Sequence, residues 1–326
     1  MTPDQLTSPP ASSAPLELDR ASLLDAARGY VEAAKAPNTR RTYRAQWAAF
    51  TEWCRSHHRE ALPAAPATLA LYLTDRAQSG RKVATLSLAL SAIRAAHRDA
   101  GLADPSAVPE VRTVWEGIRR THGTAQRRAA PLASEAIRAV VASIPSGTLR
   151  SSRDRAMILL GFCGAFRRGE LVALDLADLS FDPVRGVLVR VRRSKTDQTG
   201  AGVEVAIPFA SHAEVCAVRS VRHWIETSRI TEGPLFRSID RHGNLGGRLD
   251  GRDVARLLKA AAARAGLDAS LVSGHSLRAG LATTAALAGK PDRAIMAQGR
   301  WRSRTMLDRY VRTADAWRDN AAGGLL

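Results

Sequence analysis

Tyr310, in the run Met306-Leu307-Asp308-Arg309-Tyr310-Val311, is the only phenol in the second half of the chain, since Tyr30, Tyr43 and Tyr72 all lie before residue 130. A phenol becomes a nucleophile when a neighbouring base takes its proton. An imidazole stands in Gly274-His275-Ser276-Leu277-Arg278-Ala279-Gly280, where a helix would put His275 and Arg278 three residues apart on one face, a cation and an imidazole able to cradle a phosphate diester. A further arginine, Arg167, opens Arg167-Arg168-Gly169-Glu170-Leu171 after an apolar helix. Taken alone, these arginines could be the solvated end of that helix, where positive charge is favourable. Lys195 lies in Ser194-Lys195-Thr196-Asp197-Gln198-Thr199-Gly200, and Trp301 ends Gly299-Arg300-Trp301, nine residues before Tyr310. Lysine is scarce here: of 48 basic residues only Lys35, Lys82, Lys195, Lys259 and Lys290 are not arginine. An amine, unlike a guanidinium, can give up its proton and serve as a general acid.

The elements that must hold these groups follow from the hydrophobic pattern. Residues 1 to about 20, polar and Pro/Ser-rich, are expected to form a flexible arm. From 21 to 122 the pattern is helical throughout, in four or five helices. Tyr43, Trp47, Phe50 and Cys54 make one apolar stripe, Leu69, Tyr72 and Leu73 another after Pro66, and Leu86, Leu90, Ile93 and His97 a third that stops at Gly101. A fourth, with Val111, Val114, Trp115 and Ile118, is expected from about Pro105 to Arg120. Residues 123–131 lack apolar periodicity and read as a basic linker. Helices resume from 132, interrupted by two alternating, β-branched runs, Gly186–Val191 and Gly202–Pro208, which predict a hairpin with Lys195 near its tip. The expected fold is therefore mainly α, an all-helical domain followed by an α+β domain with a small antiparallel sheet (132–312) and a tail (313–326).

Composition narrows the field. The 326 residues carry 48 Lys+Arg against 31 Asp+Glu, a formal charge of +17, and 45% of them are hydrophobic. That describes globular domains with a polyanionic partner, nucleic acid first. Charge is shared by both halves, with +6 on residues 1–130, so both are expected to face the polyanion as a clamp. The longest apolar run, Ala156 to Phe166, is too short to span a bilayer, and the N-terminus lacks a basic-then-apolar signal pattern. Cys54, Cys163 and Cys216 have no disulfide or CxxC spacing, which fits a cytoplasmic location and predicts neither a zinc site nor any other cofactor.

Together, Arg167, Lys195, His275, Arg278, Trp301 and Tyr310 occur in the order and spacing of the tyrosine recombinases, the phage integrase family. The R-x-x-E-L box, the H-x-x-R box and the G-x-W followed by Tyr all resemble that family's signature. Trp53-Cys54, the segment around Val83-Ala84-Thr85-Leu86 and Ser273-Gly274-His275-Ser276 are similar to its Cre recombinase branch, which also has tryptophan where most of the family has histidine at the position of Trp301. The resemblance covers about residues 25–315. It implies a site-specific recombinase that needs no metal or ATP. Arg167 and Arg278 would bind the non-bridging phosphate oxygens, aided by the Trp301 indole N–H, and His275 would accept the proton of Tyr310. Lys195 would protonate the leaving 5′-oxygen, and Glu170 would orient an arginine. The resemblance further implies a homotetramer on two double-stranded sites with inverted repeats, strands exchanging through a Holliday junction. Two helices of the first domain would enter major grooves, with Arg40, Arg41 and Arg44 at the start of one and Arg81, Lys82 and Thr85 at the start of the other. The tail, with Trp317, Leu325 and Leu326, could dock on a neighbouring subunit or pack on its own. Two other readings stay open at this point: a DNA-binding regulator without catalysis, and a type IB topoisomerase using similar residues.

Overall fold

The computed structural model describes residues 20–33, 37–124, 130–192 and 202–315. The chain divides into two compact units, residues 1–126 and 127–326. The expected arm, most of the linker, the tail from residue 316 on and Lys195 lie outside the described residues, and residues 313–315 close the last helix.

The described part of the first unit is helical, with α1 (Arg20–Ala33), α2 (Pro37–Ser56), α3 (Pro66–Gln78), α4 (Val83–Asp99) and α5 (Pro109–His122). Its core is built from the apolar stripes. Phe50 and Trp53 of α2 meet the Tyr72 ring of α3 edge-on at 5.0 and 5.4 Å, and Leu69, Leu73, Leu86, Leu90 and Ile93 close around them. His97 is fully buried and satisfied, its Nε2 accepting the Ala64 amide at 2.9 Å while Nδ1 lies 2.9 Å from the Ile93 carbonyl. Pro66 and Pro109 each occupy the first turn of their helices, where the missing N–H costs nothing. The fourth stripe starts later than its composition suggests. Asp104 accepts from both the backbone and the hydroxyl of Ser106, making a turn that delays α5 to Pro109.

The second unit begins with α6 (Ser134–Ala142) and α7 (Leu149–Cys163). α7 is buried from Ser151 to Gly161 except at half-buried Arg155, and the charge pair Arg153–Asp154, at 2.6 Å, is buried with it. A short α8 (Arg168–Ala173) leads to a three-stranded antiparallel sheet of β1 (Leu179–Asp182), β2 (Gly186–Val191) and β3 (Val203–Pro208), in the order β1-β2-β3. The two alternating runs form β2 and β3, with Val189 opposite Val205, and Val187, Val189, Val191, Val205 and Ile207 all face the core. β1 was not expected. It is four residues long and half-buried, too short for alternation to announce it. α9 (Ala217–Ser228) packs along α7, and Trp224, fully buried, donates to the Leu235 carbonyl at 2.7 Å. A second small hairpin, β4 (Arg237–Ile239) with β5 (Leu245–Arg248), precedes α10 (Gly251–Arg264), α11 (Ser276–Leu287), α12 (Asp292–Gly299) and α13 (Arg304–Asp315). No helix among the described residues is long and apolar enough to cross a membrane.

α11 carries the H-x-x-R box, and one glycine fixes how it docks. At Gly280 the helix runs against the backbone of Leu132, so close that a Cβ would stand 1.9 Å from the Leu132 oxygen. Because that atom is backbone, the clash cannot be relieved by a rotamer change. Gly280→Ala should therefore lower stability by about 2–3 kcal/mol, read from the urea midpoint of the full chain. Gly169→Ala, whose added methyl would meet no atom within 4 Å, should leave the midpoint unchanged or slightly raised.

Candidate active site

The site forms where α7 ends. Its last carbonyls have no partner further along the helix, and the chain turns sharply through Ala165, at φ +46°, into Phe166 and Arg167. Gly164 and Ala165 thereby present their oxygens to side chains arriving from elsewhere. Arg278 donates to the Ala165 carbonyl at 2.7 Å, and Arg300 donates to the carbonyls of Gly164 at 3.0 Å and Ala165 at 3.2 Å. Arg167 stands immediately before α8. Glu170, one turn on, accepts from the Arg167 backbone N–H at 3.0 Å and from its guanidinium at 2.5 Å. The same carboxylate takes a third donor, Arg300 Nη2, at 2.9 Å.

Arg278 is almost fully buried, yet its Nη2 has no hydrogen-bond partner. Its guanidinium lies 4.2 Å from the centre of the Trp301 ring. Trp301 is in turn buried, with its ring folded back over Gly299 so that a Cβ there would sit inside the indole. The box Gly299-Arg300-Trp301 thus has a steric reason for its glycine. Burial, followed by the charges of Arg167 and Arg300, pulls the Arg278 basicity down to about 9, still protonated at neutral pH.

His275 is the residue just before α11, its carbonyl accepting the Ala279 N–H at 3.0 Å, with Arg278 in the first turn of the helix. Its Nε2 is 2.5 Å from the Tyr310 hydroxyl. Tyr310 comes from α13, held by the Thr283 hydroxyl of α11 donating to its backbone carbonyl at 3.2 Å and by its ring against Trp301 at 5.7 Å. Desolvation, then the positive charges of Arg278 and Arg167, hold His275 below its ordinary range. A neutral imidazole with Nε2 unprotonated can accept the phenol proton.

The structure thus brings together five of the six residues singled out from the sequence, Arg167, His275, Arg278, Trp301 and Tyr310, with Glu170 beneath them. Arg168 does not join them. It is exposed, and its stem passes over Gly274 and Gly251. One member was missed. Arg300 was an unspecified middle letter of its box, one of 43 arginines, and nothing in its spacing marked it out. In the first unit, Arg81 and Thr85 line a groove with Gln46, Glu52 and Arg76, between α2, α3 and α4. Arg40, Arg41 and Arg44 lie outside that groove near the start of α2, with Arg41 donating to Asn38 at 2.7 Å, and Lys82 is the exposed residue preceding α4. Among the described residues no group of three or more His, Cys, Asp or Glu side chains could hold a metal ion.

Two guanidiniums on one carboxylate, a third buried beside them, and a phenol in contact with an imidazole make a site able to hold an anion and to deprotonate a phenol. A model described as "Phage integrase family" matches residues 130–316, and one for the "Phage integrase, N-terminal SAM-like domain" matches 29–100. The chain belongs to the phage integrase family, the tyrosine-type site-specific recombinases. It is 40% identical over 299 residues to an integrase/recombinase XerD homologue of Selenomonas ruminantium, covering 90% of this chain and 87% of that one. Its likeness to the Cre recombinase of Escherichia phage P1 is weaker, 27% over 290 residues, covering 83% and 81%. Among solved structures, a lambda integrase dimer bound to a COC′ core site shares the fold at a TM-score of 0.57 and 19% identity, over 89% of this chain and 94% of that one. A XerH recombinase on its palindromic difH substrate gives 0.57 at 16%, over 77% and 69%.

The charge arrangement has a direct spectroscopic consequence. In a nitrogen-detected NMR titration of the histidines, His275 should titrate below about 6.5, the ordinary value. Arg167→Gln removes a cation that opposes imidazolium, so the midpoint should move up by about half a pH unit. A midpoint insensitive to this change would mean that Arg167 does not act on His275.

Proposed function

We propose that this recombinase cuts and rejoins double-stranded DNA at a specific site through a covalent bond between Tyr310 and a 3′-phosphate. The observation that carries the reading is the unpartnered Nη2 of buried Arg278 beside the 2.5 Å contact of His275 with Tyr310. Buried donors without partners are rare in folded proteins. This one is cationic, and a phosphate oxygen is a ligand that completes it.

In this reading the scissile phosphate takes paired N–H bonds from Arg167 and Arg278 at its non-bridging oxygens, where negative charge grows as the phosphorus becomes five-coordinate. The Trp301 indole N–H adds a donor. The Tyr310 oxygen attacks phosphorus as its proton passes to His275, the bond from phosphorus to the 5′-oxygen breaks, and Lys195 supplies the proton that oxygen needs. The phosphotyrosyl bond stores the energy of the broken one, so a second 5′-hydroxyl can rejoin the strand without ATP. Glu170 orients Arg167. The arginines supply the charge that a metal would otherwise bring.

The proposal extends to the assembly: a homotetramer on two DNA sites with inverted repeats, exchanging strands in pairs through a Holliday junction, in the cytoplasm. The helical first unit would contact the same DNA, with Arg40, Arg41, Arg44, Arg81, Lys82 and Thr85 as the residues nearest the bases. Most of the remaining +17 would follow the phosphate backbone and give binding a steep salt dependence. The 313–326 tail, outside the described residues from 316 on, would dock on its own or a neighbouring catalytic unit.

A nicked suicide duplex carrying the cognate site, analysed on denaturing gels, tests the chemistry. The wild-type chain should form a covalent adduct, and Tyr310→Phe should form none. Absence of an adduct on cognate DNA would leave a binding protein without catalysis. Adducts on arbitrary supercoiled DNA, with relaxation and no joined products, would point to a topoisomerase. Lys195→Ala should slow cleavage of an ordinary phosphodiester by about 10²- to 10⁴-fold. It should have far less effect on a duplex with a 5′-thio leaving group, which departs without a proton; equal losses on both would remove Lys195 from the acid role.

A further inference from the structure

Arg300 is held at a cost that its box does not explain. It terminates α12 in the left-handed conformation, φ +57° and ψ +43°, which a residue with a Cβ adopts reluctantly. Its side chain is 6% exposed. A guanidinium at a helix end normally reaches solvent. This one turns inward, stacks 5.0 Å from the centre of the Phe166 ring, and spends its donors on the carbonyls of Gly164, Ala165 and Gln298 and on Glu170. Its Nε is left without a partner. Glycine at this position would relax the backbone, and yet an arginine stands there, buried.

The destination of its charge explains the arrangement. Glu170 has two oxygens. Oε1 accepts from the Arg167 guanidinium, while Oε2 accepts from the Arg167 backbone N–H and from Arg300. Without Arg300, a carboxylate that is 5% exposed would face a single cation, one that the proposed mechanism needs for the phosphate. We propose that Arg300 is a positioning residue of the recombination site: it neutralises Glu170 from the inner side, so that the carboxylate stays ionised and fixes the Arg167 guanidinium while that group remains free to bind phosphate. This rests on the assignment of Arg167 to the phosphate. Burial by itself pushes the Glu170 carboxyl up, and Arg300 and then Arg167 bring it back below its usual value. Loss of Arg300 therefore removes the largest charge that opposes protonation.

The test uses Arg300→Gly, which deletes the guanidinium and relieves the backbone, and Arg300→Asn, whose side chain tolerates the same φ. In the free protein, ¹³C NMR of the Glu170 carboxyl should show its titration moving up by at least about one pH unit in both variants; an unmoved titration overturns the proposal. The second arm uses a nicked duplex recovered from a randomised pool by its covalent attachment to the wild-type chain. Single-turnover cleavage should fall about 10- to 100-fold in Arg300→Gly, with DNA affinity within about twofold and with loss of rate at the acid side setting in at higher pH. Glu170→Gln should erase that acid-side loss and make Arg300→Gly almost silent. A full Arg300→Gly defect persisting beside Glu170→Gln would show that Arg300 acts by another route and overturn the inference, as would wild-type rates in Arg300→Gly. If the wild-type chain traps no duplex, the recombinase mechanism is what fails, while the carboxyl titration still decides the pairing.

Discussion

The catalytic unit is arranged around a charge imbalance: the guanidiniums of Arg167 and Arg300 both bond one carboxylate, Glu170, and a third, Arg278, is buried near enough to feel the charge of both arginines. Burying like charges together is costly, and removing one partner from a buried pair typically costs about 3–5 kcal/mol. The fold offsets this with backbone oxygen. α7 is an apolar helix whose C-terminal carbonyls are the negative end of its dipole. It stops inside the protein, and the turn through Ala165 aims those oxygens at the incoming arginines. Gln298 closes the same end by donating to the Cys163 carbonyl. One helix terminus therefore satisfies its own orphan carbonyls and solvates two cations with them. In the proposed mechanism, the surplus of positive charge that survives this arrangement is what an incoming phosphate neutralises.

The proposed nucleophile, Tyr310, and its proposed base, His275, share one support. α11 presents His275 just before its first turn and Arg278 within it, and further along, Thr283 holds the backbone of Tyr310. Gly280 sets that helix against Leu132 at backbone contact, so base, cation and nucleophile are referred to one rigid body. The N-terminal end of α13 is tied separately, with Arg304 bridging Asp292 of α12 and Asp308 of its own helix. A phenol within 2.5 Å of an imidazole thus depends on helix–helix packing and little on loop conformation.

Much of this was legible in the sequence, and the exceptions have physical reasons. The residues from Gly186 to Val191 alternate because one face of β2 is core and the other solvent, so their period announced a strand. β1 offers three half-buried residues and one exposed, with no buried face to contrast. The boxes around Arg167, His275, Arg278 and Tyr310 were visible because, taken together, they stand in the order and spacing of the family's signature. Arg300 was invisible for the opposite reason: among 43 arginines an inward one looks like an outward one. Only its left-handed backbone, which bends α12 to a stop and returns the side chain to the core, separates it from its neighbours. Burial of a charged side chain is a tertiary fact, and sequence periodicity does not carry it.

The excess of arginine over lysine acquires two meanings in this light. On the surface, a guanidinium and an ammonium neutralise a DNA phosphate about equally. Inside the site they are not interchangeable, because the planar fork of Arg300 spans two carbonyls and a carboxylate while its face lies on Phe166. A lysine there could form one or two of those contacts with a flexible stem, and its ammonium would lose more hydration on burial. The inner layer of the site thus requires a base that never deprotonates and can be desolvated. In the proposed mechanism, the step that releases the 5′-oxygen requires one that can surrender a proton. Arginine packs the first role, and the scarcity of lysine points to where the second belongs.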